Sequence, residues 1–448
     1  MATRSADLAT GLNLGAFAKA TELKRRLLFT LGMLIIYRLG TFIPLPGIDP
    51  IVINDIFDQQ AGGILDVFDA FAGGALSRMS IFALNVIPYI SAAIIMQLGT
   101  AVVPRLEELK KEGEAGRKKI NQYTRYGTVF LAAIQSYGLS VTLESLTSSN
   151  GQAVMDPGMF FRSGTVITIV GGTMFLLWLG EQVTARGVGN GISLIIFSGI
   201  VANLPVALAQ TLELGRTGQM SPLFIIGLAI MVMTVVVVIV FVERAQRRIV
   251  IQYPKRQVGQ RMFGGEASHL PLKINTAGVI PVIFATSLLL TPATVAGFSG
   301  GAVGGGILGT IAALLGRGQP LYLLVYASLV VFFAFFYTAI VFNPDDTADN
   351  LKRNGGFVPG IRPGKNTAEY LDYVLTRLTV IGAIYLMLVA LLPEILISNF
   401  AVPFFFGGTS LLIVVSVTLD TVAQIQSHLL AHQYEGLIKK SRLKGRLK

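Results

Sequence analysis

The chain has 448 residues, 52% of them hydrophobic and only 14% charged, where soluble domains carry about 25% charged residues. Its mean hydropathy is +0.65; high aliphatic content and the absence of a G-X-Y period exclude disorder and collagen, and the lack of cysteine excludes disulfide frameworks, thiolate catalysis and Cys-ligated metal or iron–sulfur sites. This is the composition of a polytopic membrane protein, rich in small residues (49 glycines) that let membrane helices approach closely and carrying a net charge of +11.

A bilayer core about 30 Å thick takes roughly 20 apolar residues per helix. Runs that qualify lie at 27–43, 80–103, 123–143, 163–182, 190–209, 222–242, 276–296, 321–342, 374–396 and 404–425, ten in all. The first follows Lys24-Arg25-Arg26 yet runs into Pro44-Leu45-Pro46-Gly47 with no small-residue cleavage site, so it reads as an uncleaved span. Between it and the second lies an apolar piece framed by glycine pairs, from Gly62-Gly63 to Gly73-Gly74, too short to cross a bilayer. It suits either an interfacial segment or a re-entrant one, which is tolerated only where protein covers its backbone. The second run contains Asn85-Val86-Ile87-Pro88 and the seventh Gly278-Val279-Ile280-Pro281, so a proline kink is expected in each.

Lysine and arginine set the orientation. With the N-terminus inside, the segments 1–26, 104–125, 244–273, 352–377 and 439–448 together with Arg186 hold 31 of the 36 basic residues, which puts both termini in the cytoplasm. The runs divide five and five at Gly215–Pro222. An odd number per half makes the second half an inverted copy of the first, an arrangement that places the functional path between the halves.

Ionisable residues such as Glu181, Glu243, Glu394, Arg38 and Arg78 fall at span ends, and Asp420 lies late in the last span. Ion-coupled carriers usually bear such groups at depth. The long loops 244–273 and 343–373 stand out. The first carries seven basic residues against Glu266, which fits plain positive-inside topology or a docking surface for something acidic. No nucleotide-binding G-x-x-x-x-G-K-[ST] occurs. Gly187 to Gly191 reads as a tight turn, and Gly297 to Gly306 as an external loop. His428 and His432 have zincin spacing, but Leu429 stands where the general-base Glu belongs, so they read as part of an amphipathic tail. Nothing indicates an active site, a metal or a cofactor. A gated channel is the leading class, with a small-solute carrier and an intramembrane enzyme as alternatives.

Several ordered segments then resemble the SecY family, the channel subunits of the bacterial protein-translocation complex. They are Gly73-Gly74-Ala75-Leu76-Ser77-Arg78, Pro88-Tyr89-Ile90-Ser91-Ala92, Lys111-Glu112-Gly113-Glu114, Gly187–Ser193, Asn343-Pro344 with Thr347-Ala348-Asp349-Asn350, Phe357–Gly364, and Phe406–Ile413. The resemblance runs from about Leu23 to Gly445.

It implies an all-α clamshell of ten transmembrane helices in two inverted five-helix halves. These are residues 23–210 and 222–428, preceded by a cytoplasmic segment 1–22 and followed by a basic tail 429–448. It implies a pore ring of Val86, Ile90, Ile196, Ile283 and Ile413 with Ile192 beside them, where Val86 replaces the family's usual isoleucine. A plug near 62–74 would hold Ile64, Leu65, Val67, Phe68 and Phe71. A lateral gate, spans two and three against seven and eight, would include Pro88, Ser91, Gln97, Pro281 and Ser287. Arg247, Arg248, Lys255, Arg256, Arg261 and Arg362 would dock cytoplasmic partners, although the family's paired arginines read Gln260-Arg261 here. The implied partners are the small membrane subunits SecE and SecG, the SecA ATPase, the ribosome, signal peptides, unfolded preproteins and membrane lipid.

Overall fold

The structure, a computed structural model, describes residues 21–49, 52–53, 55, 69, 72–145, 147–148, 151–218, 220–253, 256–258, 261–263, 267–297, 319–399 and 408–445. The expected plug residues Ile64, Leu65, Val67, Phe68 and Phe71 lie outside the described residues, as do Lys255 and Gln260. Ten long helices coincide with the ten apolar runs: Thr21–Gly40, Ile87–Val102, Glu114–Ser145, Met159–Arg186, Gly191–Arg216, Pro222–Arg244, Ile280–Gly297, Pro320–Val341, Lys365–Asn399 and Gly408–Gly445. They are numbered here as spans one to ten. Among the described residues, spans four, five, six, eight, nine and ten are each long and apolar enough to cross a membrane. Span two qualifies only together with the helix Pro104–Lys111, which is bent from it by 95°.

The two halves repeat one packing scheme. In the first, span two packs on three, three on four, four on five, and one on five. In the second, seven packs on eight, eight on nine, nine on ten, and six on ten. The halves meet where five touches six and ten, one touches ten, and seven touches both two and three.

The prolines do not kink their helices, contrary to expectation. Pro88 and Pro281 are each the second residue of a helix, beginning at Ile87 and Ile280. There the missing N–H costs nothing and the fixed φ favours the helix. The change of direction comes earlier, at left-handed Asn85 (φ 48°) and Gly278 (φ 63°), each three residues before its proline. Span two therefore has only the 16 residues Ile87–Val102 as helix, about 24 Å, less than a bilayer core. The rest of the predicted run, through Val86, is a series of turns. Its polar members Ser80 and Asn85 are buried, so protein rather than lipid covers this irregular backbone.

That segment is fixed from several sides. The Leu45 amide donates to the Met79 carbonyl (2.8 Å) and the Ile81 amide to the Ile43 carbonyl (3.0 Å). Tyr37 Oη donates to the Ala72 carbonyl at 3.1 Å. Arg38 Nη1 and Arg78 Nη2 both donate to the Gly73 carbonyl, at 2.6 and 2.9 Å. Both guanidinium groups lie over the Phe42 ring, 5.1 and 4.4 Å from its centre.

The described strands of the loop 244–273 pair as a β-hairpin. Gln246–Gln252 pairs antiparallel with Ala267–Lys273, and Arg256–Val258 with Arg261–Phe263 nearer the tip. Gln252 exchanges two backbone hydrogen bonds with Phe357 of the second loop, at 2.9 and 3.0 Å. Ile249 and Leu272 share a core with Val358, Leu371, Val374 and Leu378. The two basic-face loops are thus one packed body seated on span nine.

Candidate functional site

The helix starts of spans two, five and seven bring four of the six expected ring residues together. Val86, Ile90, Ile196 and Ile283 line one cavity of about 20 Å³ at the meeting of the halves, room for about one water. Val86 and Ile196 are buried, Ile90 and Ile283 half-buried. Ile413 of span ten, 1% exposed, packs with them in one apolar cluster but does not line the cavity. Ile192 belongs to the same cluster and lines a separate pocket of about 310 Å³ with Tyr89, Arg125 and Glu181. Arg125 Nη2 lies 2.6 Å from Glu181 Oε1 there, in a partly exposed ion pair.

The cavity also has a polar edge that sequence reasoning missed, made by Asn85 and Thr286 together with Ser287, a residue expected in the gate. Asn85 is visible in the sequence only as the residue before Val-Ile-Pro. Its left-handed backbone, which suits asparagine better than most residues, turns it into the waist.

The expected gate residues lie on spans two and seven, which pack against each other. Pro88 and Pro281 are buried at the starts of their helices, and Ser287 is buried about two turns into span seven. Ser91 and Gln97 are half-buried on span two. Gln97 Oε1 is buried with no hydrogen-bond partner among the described residues. Spans two and three both pack on span seven, so the seam between the halves is closed here.

Of the expected docking residues, Arg247 and Arg248 are exposed on the hairpin. Arg256 and Arg261 lie in the strand pair near its tip. Arg362 lies between Gly360 (φ 83°) and Gly364 (φ 105°), exposed in a tight turn where its carbonyl accepts from Thr367 Oγ1 at 2.9 Å. The Gln252–Phe357 bridge sets both loops on one face. Among the described residues no group of three or more acidic or histidine side chains gathers to hold a metal ion.

Two halves that meet at a narrow apolar cavity, with two basic loops packed into one body, resemble known proteins. The chain is 56% identical over 424 residues to the protein translocase subunit SecY of Escherichia coli K12, covering 95% of this chain and 96% of that protein. It is 53% identical to its counterpart from Rickettsia conorii, covering 95% and 98%. Among solved structures, the fold matches a protein-conducting channel with TM-score 0.64 at 18% identity, over 91% of this chain and 92% of that one. It also matches Sec61 in the canine ribosome–channel complex, with TM-score 0.61 at 18% identity and the same coverage. The ten-helix clamshell of a multi-pass membrane protein is common to them. The SecY family model matches residues 80–422, and the chain belongs to the SecY family.

Proposed function

We propose that the protein is the central pore-forming subunit of a bacterial translocon. It is a gated, passive channel that passes unfolded preproteins across the cell inner membrane and releases membrane proteins sideways into lipid, and it is no enzyme. The observation that carries this reading is the cavity of about 20 Å³ ringed by Val86, Ile90, Ile196 and Ile283 where the halves meet. A conduit for any sequence cannot use a fixed chemical selector, whereas a narrow apolar constriction resists wetting when empty and yields around any side chain. Ile413 and Ile192 complete the girdle, and residues 62–74 form the plug on its outer side.

Spans two and three part from seven and eight when the apolar core of a signal peptide, typically 7–15 residues, enters between them. Pro88, Ser91, Gln97, Pro281 and Ser287 lie along that route. Both termini and the basic loops are cytoplasmic. Arg247, Arg248, Lys255, Arg256, Arg261 and Arg362 receive the ribosome or the SecA ATPase, which supplies directionality, and SecE and SecG complete the membrane complex. The relatives' name as translocase subunits and the ribosome-bound neighbour support these assignments.

The test is site-specific crosslinking of an arrested secretory chain from positions 86, 90, 196, 283 and 413. Adducts are expected at these positions and not at lipid-facing Phe241. Adducts spread evenly, or absent while the chain is arrested in the complex, would remove the pore assignment.

A further inference from the structure

The base of the docking hairpin runs directly into the start of span seven, through one buried side chain. The Ile274 amide donates to the Ala245 carbonyl at 3.1 Å, closing the hairpin where span six ends. The next residue, Asn275, is buried, and its Nδ2 donates both to Glu243 Oε1 of span six (2.7 Å) and to the Gly278 carbonyl (3.1 Å). Gly278 is left-handed at φ 63°, and the helix of span seven begins two residues later. A carbon atom added at Gly278 would meet nothing within 4 Å, whereas one added at Gly382 of span nine would lie 2.9 Å from the Ile274 carbonyl. The ground below the joint is therefore packed and the ground above it is open.

Resting on the gate reading above, we propose that Asn275, gripped by Glu243, is the joint through which load on the basic hairpin reaches span seven. The paired strands of the hairpin form a stiff arm about 23 Å long, locked to the second loop at Gln252–Phe357. A partner seated on its tip and on Arg362 tilts this body as a unit, since packed elements move rigidly rather than deform. At the base, the tilt meets the only described side chain that bonds the end of span six and the turn into span seven together. Asn275 passes the displacement to Gly278, whose backbone absorbs the rotation. Asn275 and Glu243 are positioning residues: neither lines the cavity at the waist.

The experiment uses the full chain assembled in its membrane complex, with fluorophores on cysteines introduced at the facing ends of spans two and seven. Separation of the spans is read with the SecA ATPase alone and, separately, with a saturating signal peptide alone. Asn275→Ala is expected to bind the ATPase normally and to open normally with signal peptide, while ATPase-driven separation falls about tenfold, within the usual range of coupling between sites. Glu243→Gln keeps an amide oxygen to accept from Asn275 and should behave as the parent. Glu243→Leu should reproduce the Asn275→Ala phenotype, and carries the test if that variant fails to accumulate. Undiminished ATPase-driven separation in Asn275→Ala or Glu243→Leu overturns the joint, and so does equal loss of both responses, which marks plain structural damage. If the parent separates under neither stimulus, the gate reading itself falls.

Discussion

The turns that lead into span two, from Gly73 to Val86, are held by backbone pairs to the Ile43–Leu45 stretch and by Tyr37, Arg38 and Arg78. The much shorter turn that leads into span seven, ending at Gly278, has its side-chain link to span six, among the described residues, through Asn275. Each lead-in ends in the same motif, a left-handed residue followed by Val-Ile-Pro, and each delivers residues to the waist. The halves therefore use one local solution with two stiffnesses. On the gate reading proposed above, span two is expected to be the fixed leaf of the seam and span seven the leaf that moves.

Substitutions at glycines that share a backbone conformation but not a packing environment separate these cases. The largest effect is expected for Gly73→Ala. Its φ of 68° and an added carbon 2.8 Å from the Gly199 Cα combine left-handed strain with overpacking, about 2–5 kcal/mol in all. Thermal unfolding of the purified protein should show the midpoint fall, and an unchanged midpoint would mean that the turns before span two are looser than described.

Gly172→Ala tests the same segment from span four, where an added carbon would overlap the Ile81 carbonyl. A loss of about 1–3 kcal/mol is expected in the same unfolding measurement, through overpacking alone. Arg78→Leu removes donors to Gly73 and Thr41 and should cost about 1–2 kcal/mol, seen as faster proteolysis near residue 73. A protection pattern identical to the parent's would show that Arg38 suffices. Gly278→Ala should be the mildest, about 1 kcal/mol from φ alone, because the site is open. A loss as large as that of Gly73→Ala would erase the asymmetry between the two leaves.

The ten helices were legible in the sequence because run length and charge asymmetry report directly on bilayer thickness and orientation. The role of Pro88 and Pro281 was not. Proline serves a helix equally as a kink or as a first-turn residue, and only the positive φ of Asn85 and Gly278 decides between them. The ring residues came from family resemblance. In a chain that is 52% hydrophobic, Ile90 or Ile283 carries no local mark that separates a waist from ordinary packing. The hairpin left a faint trace in the alternation of Ile249 and Ile251 with exposed neighbours. Asn275 left none, since its importance lies in two partners that sequence spacing does not pair.

The shortness of span two bears on how the protein itself is inserted into the bilayer. Sixteen helical residues preceded by turns leave irregular backbone at membrane depth, which is tolerated only where protein covers it. Ile43 and Leu45, which precede it, and span four, which follows it, supply that enclosure. During synthesis span two is therefore expected to reach its final position only once span four has been made to cover the turns at Ile81.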